Sequence, residues 1–131
     1  MPSPEALTFI DRSLGNATVC TALRQAGARV VIHDALFPPD APDTEWLTRA
    51  GAEGWLVVTK DRRIRYRALE REALLSAGVG AFVLTAGSAT GEVMGQAFVA
   101  ALRGMRALVA QQPSPFIATV SISGGVSLIV P

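Results

Sequence analysis

Gly54-Trp-Leu-Val-Val-Thr-Lys-Asp-Arg-Arg-Ile-Arg-Tyr-Arg67 is the stretch around which the rest of the chain arranges itself. Trp55 to Thr59 is a short, almost unbroken apolar run with adjacent valines, a pattern that suits a strand covered on both faces. Strands of that kind are usually parallel. In an open parallel sheet the ligand site lies beyond the carboxyl ends of the strands, which puts Thr59, Lys60 and Asp61 where chemistry is expected.

Outward from this run, strand and helix patterns alternate. Ala6 to Ile10 reads as a first strand ending at Asp11. Ser13, Gly15 and Asn16 then offer turn and cap chemistry before a helix over Ala17 to Ala26, stopped by Gly27. Arg29 to Ile32 is a second strand leading to His33 and Asp34, after which Pro38, Pro39 and Pro42 keep the chain irregular. Asp43 opens a helix with Trp46, Leu47 and Ala50 on one face, ended by Gly51 or Gly54. Past the central strand a helix is expected from near Arg63 to Ala77, with Leu69, Ala73 and Ala77 sharing a face, and then a strand over Val79 to Thr85. Glu92 to Gln111 carries Met94, Phe98, Ala101, Leu102, Met105, Leu108 and Val109 at helical spacing. Two apolar runs around Gly124-Gly125, from Phe116 to Val130, read as a hairpin. Together these predict an α/β fold, a three-layer α/β/α sandwich on a mainly parallel sheet with a C-terminal hairpin.

The 131 residues match one domain by length, and the absence of a repeat or linker makes residues 1–131 a single unit. Half the chain is apolar and 18% is charged, which excludes a disordered polypeptide. A formal charge of +1 gives no global field, so any affinity for a polyanion must come from local clustering. The single cysteine, Cys20, excludes an internal disulfide and a cysteine-based zinc cluster, and it fits a helix core position. Met-Pro-Ser-Pro-Glu at the start lacks the basic and apolar segments of a signal peptide, and no window approaches the ~18 apolar residues of a membrane span. A cytoplasmic protein without membrane contact is expected.

No Gly-x-Gly-x-x-Gly follows a strand, and no Gly-x-x-x-x-Gly-Lys-Ser/Thr occurs, so a dinucleotide or P-loop enzyme is not expected. The chemistry instead rests on acids at strand ends and helix starts: Asp11, Asp34, Asp43, Glu45 and Asp61. Carboxylates gathered on one rim repel one another, and a cation relieves that repulsion. Mg²⁺ or Mn²⁺ suits oxygen ligands and phosphate, whereas zinc would want nitrogen or sulfur donors that a chain with only His33 and Cys20 barely has. Beside Asp61, the segment Lys60 to Arg71 holds Lys60, Arg62, Arg63, Arg65, Arg67 and Arg71 against Asp61 and Glu70, a local excess of four positive charges. Metal-binding acids with a basic border are what phosphodiester cleavage needs.

Phe9-Ile-Asp11, Asp43-Thr-Glu-Trp-Leu and Leu56-Val-Val-Thr-Lys-Asp61-Arg-Arg, together with Pro115-Phe-Ile-Ala, resemble the PIN-like nuclease domain, particularly the small bacterial kind grouped with VapC-type toxins. The resemblance covers nearly the whole chain. It implies a metal-dependent endoribonuclease held inactive by a cognate antitoxin, with Asp11, Asp43 and Asp61 as metal-binding acids and Thr59 the hydroxyl before the last of them. Glu45 would assist. The fuller family pattern has another acid after the second strand, for which Asp34 is the nearest match. Lys60, Arg62, Arg63 and Arg65 are then the candidates for gripping the RNA backbone, and the hairpin edge offers a surface for an antitoxin or a homodimer.

Blander roles stand beside these. Asp43 and Asp61 suit helix caps, and Glu45 is favoured in a first turn by the helix dipole. The arginines after Asp61 could form a solvated helix face, and Trp46 and Trp55 suit the core better than base stacking, whereas Tyr66 could stack on a base. Two other function classes remain: a catalytically silent PIN-like binding module, and a receiver-like phosphoacceptor domain, which also uses strand-end aspartates, a Thr and a Lys with Mg²⁺.

Overall fold

A computed structural model describes residues 7–14, 17–60, 67–85 and 89–130. In chain order these form β1 (Thr8–Ile10), a 3-10 turn (Arg12–Leu14), α1 (Thr18–Gln25), β2 (Val30–Ile32), α2 (His33–Leu36), α3 (Asp43–Glu53) and β3 (Leu56–Thr59). There follow α4 (Ala68–Ser76), β4 (Gly80–Leu84), α5 (Gly91–Gln111), β5 (Phe116–Val120) and β6 (Val126–Val130). The sheet order is β2-β1-β3-β4-β5-β6, with every neighbouring pair parallel except β5 and β6. This is the expected α/β architecture, closed by the antiparallel hairpin.

β1, β3, β4 and β5 are almost wholly buried, and strand alternation sorts their side chains into two cores. Ile10, Val30, Leu56, Val58, Phe82, Leu84, Phe116, Ala118 and Val120 face α1 and α5, meeting Val19, Leu23, Met94, Phe98, Ala101, Met105 and Val109. Phe9, Val57, Ala81, Val83 and Ile117 face the other way, onto Trp46, Leu47 and Ala50 of α3 and Leu74 of α4. Helix-sheet-helix layering follows from that division.

Helix ends are set by local chemistry. Thr90 caps α5, its hydroxyl accepting from the Val93 N–H at 3.2 Å. Gly54 ends α3 at φ 71°, returning its N–H to the carbonyls of Ala50 and Gly51. Gly51 lets α3 lie against α4, since a Cβ there would overlap the Ala77 carbonyl.

Several expectations are corrected. His33 to Leu36 is a short helix rather than irregular chain. Pro42 occupies the cap position of α3 with Asp43 first inside the helix, because proline's fixed φ suits the extended cap residue, here at φ −60° and ψ 145°. Arg67 is extended, so the described part of the fourth helix starts at Ala68; a start near Arg63 lies outside the described residues. Leu69 is 80% exposed, and Leu74 supplies the buried contact of α4 instead. The first run of the hairpin stops at Val120, and Ile122 lies exposed in the turn. By length and composition α5 is apolar enough to cross a membrane, contrary to the reading of the windows. Its apolar side is spent on the sheet and on α1, as in the core helix of a globular domain.

Candidate active site

Strand order reverses between β1 and β3: the chain goes from β1 outward to β2, then returns to the other side of β1. The crevice beyond the carboxyl ends of that pair is where open α/β sheets bind ligands. Ile10 lies opposite Val58, so Asp11 and Thr59 follow at the same level. Strand alternation gives Asp11 the face of Phe9, and Thr59 that of Val57, which is the face α3 covers. As a result the Thr59 hydroxyl donates to Asp11 Oδ2 at 2.8 Å. Asp11 is 8% exposed and Thr59 fully buried.

The turn after β1 adds a second hydroxyl. Asp11 extends the ladder by one bond, its N–H reaching the Val58 carbonyl at 3.0 Å, while its own carbonyl accepts from the Leu14 N–H at 3.1 Å. That turn swings Ser13 back over the strand end. Ser13 Oγ donates to the same Asp11 Oδ2 at 2.8 Å, lies 3.0 Å from Thr59 Oγ1, and accepts the Lys60 backbone N–H at 3.1 Å. Sequence reasoning treated Ser13 only as a turn former. The available signal was its spacing, two residues beyond an acid that ends a buried strand.

Aromatic packing ties the first turns of α3 to β1. Phe9 is stacked between Trp46, with ring centroids 5.2 Å apart, and Trp55, at 5.7 Å. Both tryptophans are buried, as expected. α3 runs from the carboxyl edge of β2 back toward β3, so its first residue is at that edge. Passing from Phe9 to Asp11 advances about 6.6 Å toward the edge, and from Trp46 back to Asp43 about 4.5 Å in the same sense. Trp46 also binds the acid directly: its Nε1 donates to Asp43 Oδ1 at 3.1 Å. Glu45, in the same first turn, is exposed.

Asp34 has a different setting. Its Oδ1 accepts from Arg12 Nε at 2.9 Å and stands 3.0 Å from Nδ1 of His33. Arg12 continues to the Pro39 carbonyl at 3.0 Å, tying the loop before α3 to the end of β1. His33 is buried in the aromatic cluster, 6.0 Å from Phe9 and 6.4 Å from Trp46 by ring centroids.

Asp61, Arg62, Arg63, Arg65 and Tyr66 lie outside the described residues. Lys60 is half-buried, its backbone held by Ser13. Among the described residues no three Asp, Glu, His or Cys side chains gather as a cation site. What is present fits a hard cation: Asp11 is buried, its partners among the described residues are hydroxyls, and no basic side chain pairs with it there. A buried carboxylate is stabilised by a counter-charge, and a divalent ion with oxygen preference would supply one.

Comparison with known proteins adds to this geometry. The sequence model described as PIN like domain matches residues 7–86, from just before β1 to just past β4. A Mycobacterium tuberculosis protein carrying the name "Putative ribonuclease VapC45" is 32% identical over 116 residues, covering 86% of this chain and 83% of the relative. No solved structure gives a significant match.

Proposed function

This chain belongs to the PIN-like domain family, and on that footing we propose that it is a metal-dependent endoribonuclease, the cytoplasmic toxin of a toxin–antitoxin pair. The observation that carries the reading is the buried Asp11 carboxylate at the β1/β3 crevice, held by two hydroxyls on one oxygen. The similarity to a protein named as a ribonuclease supports the reaction class.

In this reading Asp11, Asp43 and Asp61 hold one or two Mg²⁺ or Mn²⁺ ions, with Glu45 assisting. When bound, the ion would activate water and stabilise the leaving oxygen of the phosphodiester. The chain's own contribution is placement: Thr59 orients Asp11, Trp46 orients Asp43, and Lys60, Arg62, Arg63 and Arg65 grip the RNA backbone without reading sequence. Asp34 has its Oδ1 paired with Arg12 and His33, a basic side chain and an imidazole that the Asp11 carboxylate lacks among the described residues. We assign it instead to fixing Arg12 and the loop before α3. The outer strand β6, with Leu128 and Ile129 each 40% exposed, is the surface we assign to an antitoxin or a second copy.

The test is cleavage of single-stranded RNA by the purified chain with Mg²⁺ or Mn²⁺, with EDTA, and with Asp11→Asn. Cleavage that needs the ion and disappears in the variant supports the reading. Equal cleavage by wild type and a folded Asp11→Asn protein removes Asp11 from the mechanism.

A further inference from the structure

We propose that Ser13 is a positioning residue that decides which oxygen of Asp11 is offered to the cation; the proposal rests on the metal-nuclease reading above and deepens it. The argument is an accounting of protons and lone pairs. Thr59 Oγ1 and Ser13 Oγ each have one proton, and both stand 2.8 Å from Asp11 Oδ2. A carboxylate oxygen has about two lone-pair directions, so two hydroxyls occupy that oxygen. Asp11 Oδ1 has no protein partner among the described residues. Ser13 Oγ also stands 3.0 Å from Thr59 Oγ1, a contact without a proton of its own when both hydroxyls donate to Asp11 Oδ2, and it keeps a lone pair for the Lys60 N–H at 3.1 Å.

The hydroxyl therefore joins two chain segments that are 47 residues apart. One carries Asp11 and the other ends in Lys60, so Ser13 sets the rotamer of the acid and holds the backbone at the end of β3. Partners that orient a metal ligand typically contribute 10–100-fold to metal affinity.

The experiment is Mn²⁺ titration of the full chain by calorimetry, with wild type, Ser13→Ala, Ser13→Thr and Asp11→Asn, alongside thermal melts without metal. Ser13→Ala should weaken Mn²⁺ binding about tenfold or more, and Ser13→Thr, which keeps the hydroxyl, should recover most of it. A folded Ser13→Ala protein with wild-type Mn²⁺ affinity overturns the proposal while leaving the nuclease reading in place, provided Asp11→Asn loses binding. If Ser13→Ala lowers the melting point and Ser13→Thr restores the fold but not the affinity, Ser13 is structural only, and the proposal fails. Wild-type protein that binds no Mn²⁺ removes both readings.

Discussion

Thr59 Oγ1 donates to Asp11 Oδ2 across 48 residues of sequence, at 2.8 Å, between neighbouring parallel strands. This bond lies at the crevice where strand order reverses, and it makes the end of β3 answerable for the conformation of the acid that ends β1.

Thr59→Val should separate that role from packing, because it removes the hydroxyl at nearly constant volume. Loss of one hydrogen bond to a charged group is worth about 1.5–3 kcal/mol, so the urea midpoint should fall while the chain stays folded. Mn²⁺ affinity should nonetheless fall roughly tenfold. Unchanged affinity in a folded variant would mean that Asp11 does not need Thr59.

Trp46→Phe tests the link from the aromatic cluster to Asp43. A smaller ring can still stack on Phe9, but the indole N–H that donates to Asp43 Oδ1 is removed. Turnover of a model RNA should drop severalfold with little change in KM. An equal loss in turnover and in melting temperature for Trp46→Phe and Trp46→Leu would reduce Trp46 to core packing.

Asp34→Asn distinguishes an anchor from a ligand. The Arg12–Asp34 pair is about half exposed, so its loss should cost only a few tenths to about 1 kcal/mol. Mn²⁺ affinity should match wild type, with turnover lowered modestly through the loop before α3. A fall in Mn²⁺ affinity as large as that of Asp11→Asn would return Asp34 to the metal set.

Gly51→Ala should be severe although it is far from the chemistry. The added methyl has no room against the Ala77 backbone, and overpacking of this kind costs about 1–3 kcal/mol or more. The urea midpoint should fall clearly, while Gly51→Ala protein at wild-type stability would mean that α3 and α4 separate without cost.

The parts of this molecule legible in its sequence are those governed by burial pattern. Leu56 to Thr59 reads as a doubly buried strand because no position in it faces water, and α5 reads as a helix because its apolar residues recur over many turns. α2 was not legible: four residues are too few to show a period, and the prolines after it argue for irregular chain. Leu69 shares a face with Ala73 by spacing yet is turned to solvent, because Leu74 supplies the buried contact of α4. At the site, strand ends located Asp11 and Thr59, whereas the Ser13 contacts depend on how a 3-10 turn folds back, which residue spacing does not encode. The pairing of Asp34 with Arg12 was equally hidden, since it joins residues from two different strand ends.

Crystals soaked in MnCl₂ and measured at the manganese absorption edge address the site most directly. An anomalous peak at coordination distance from Asp11 Oδ1, with carboxylates of Asp43 and Asp61 completing the oxygen shell, is the expected result. A well-ordered crevice without manganese at a saturating concentration, or with Asp43 and Asp61 turned away from Asp11, would contradict it.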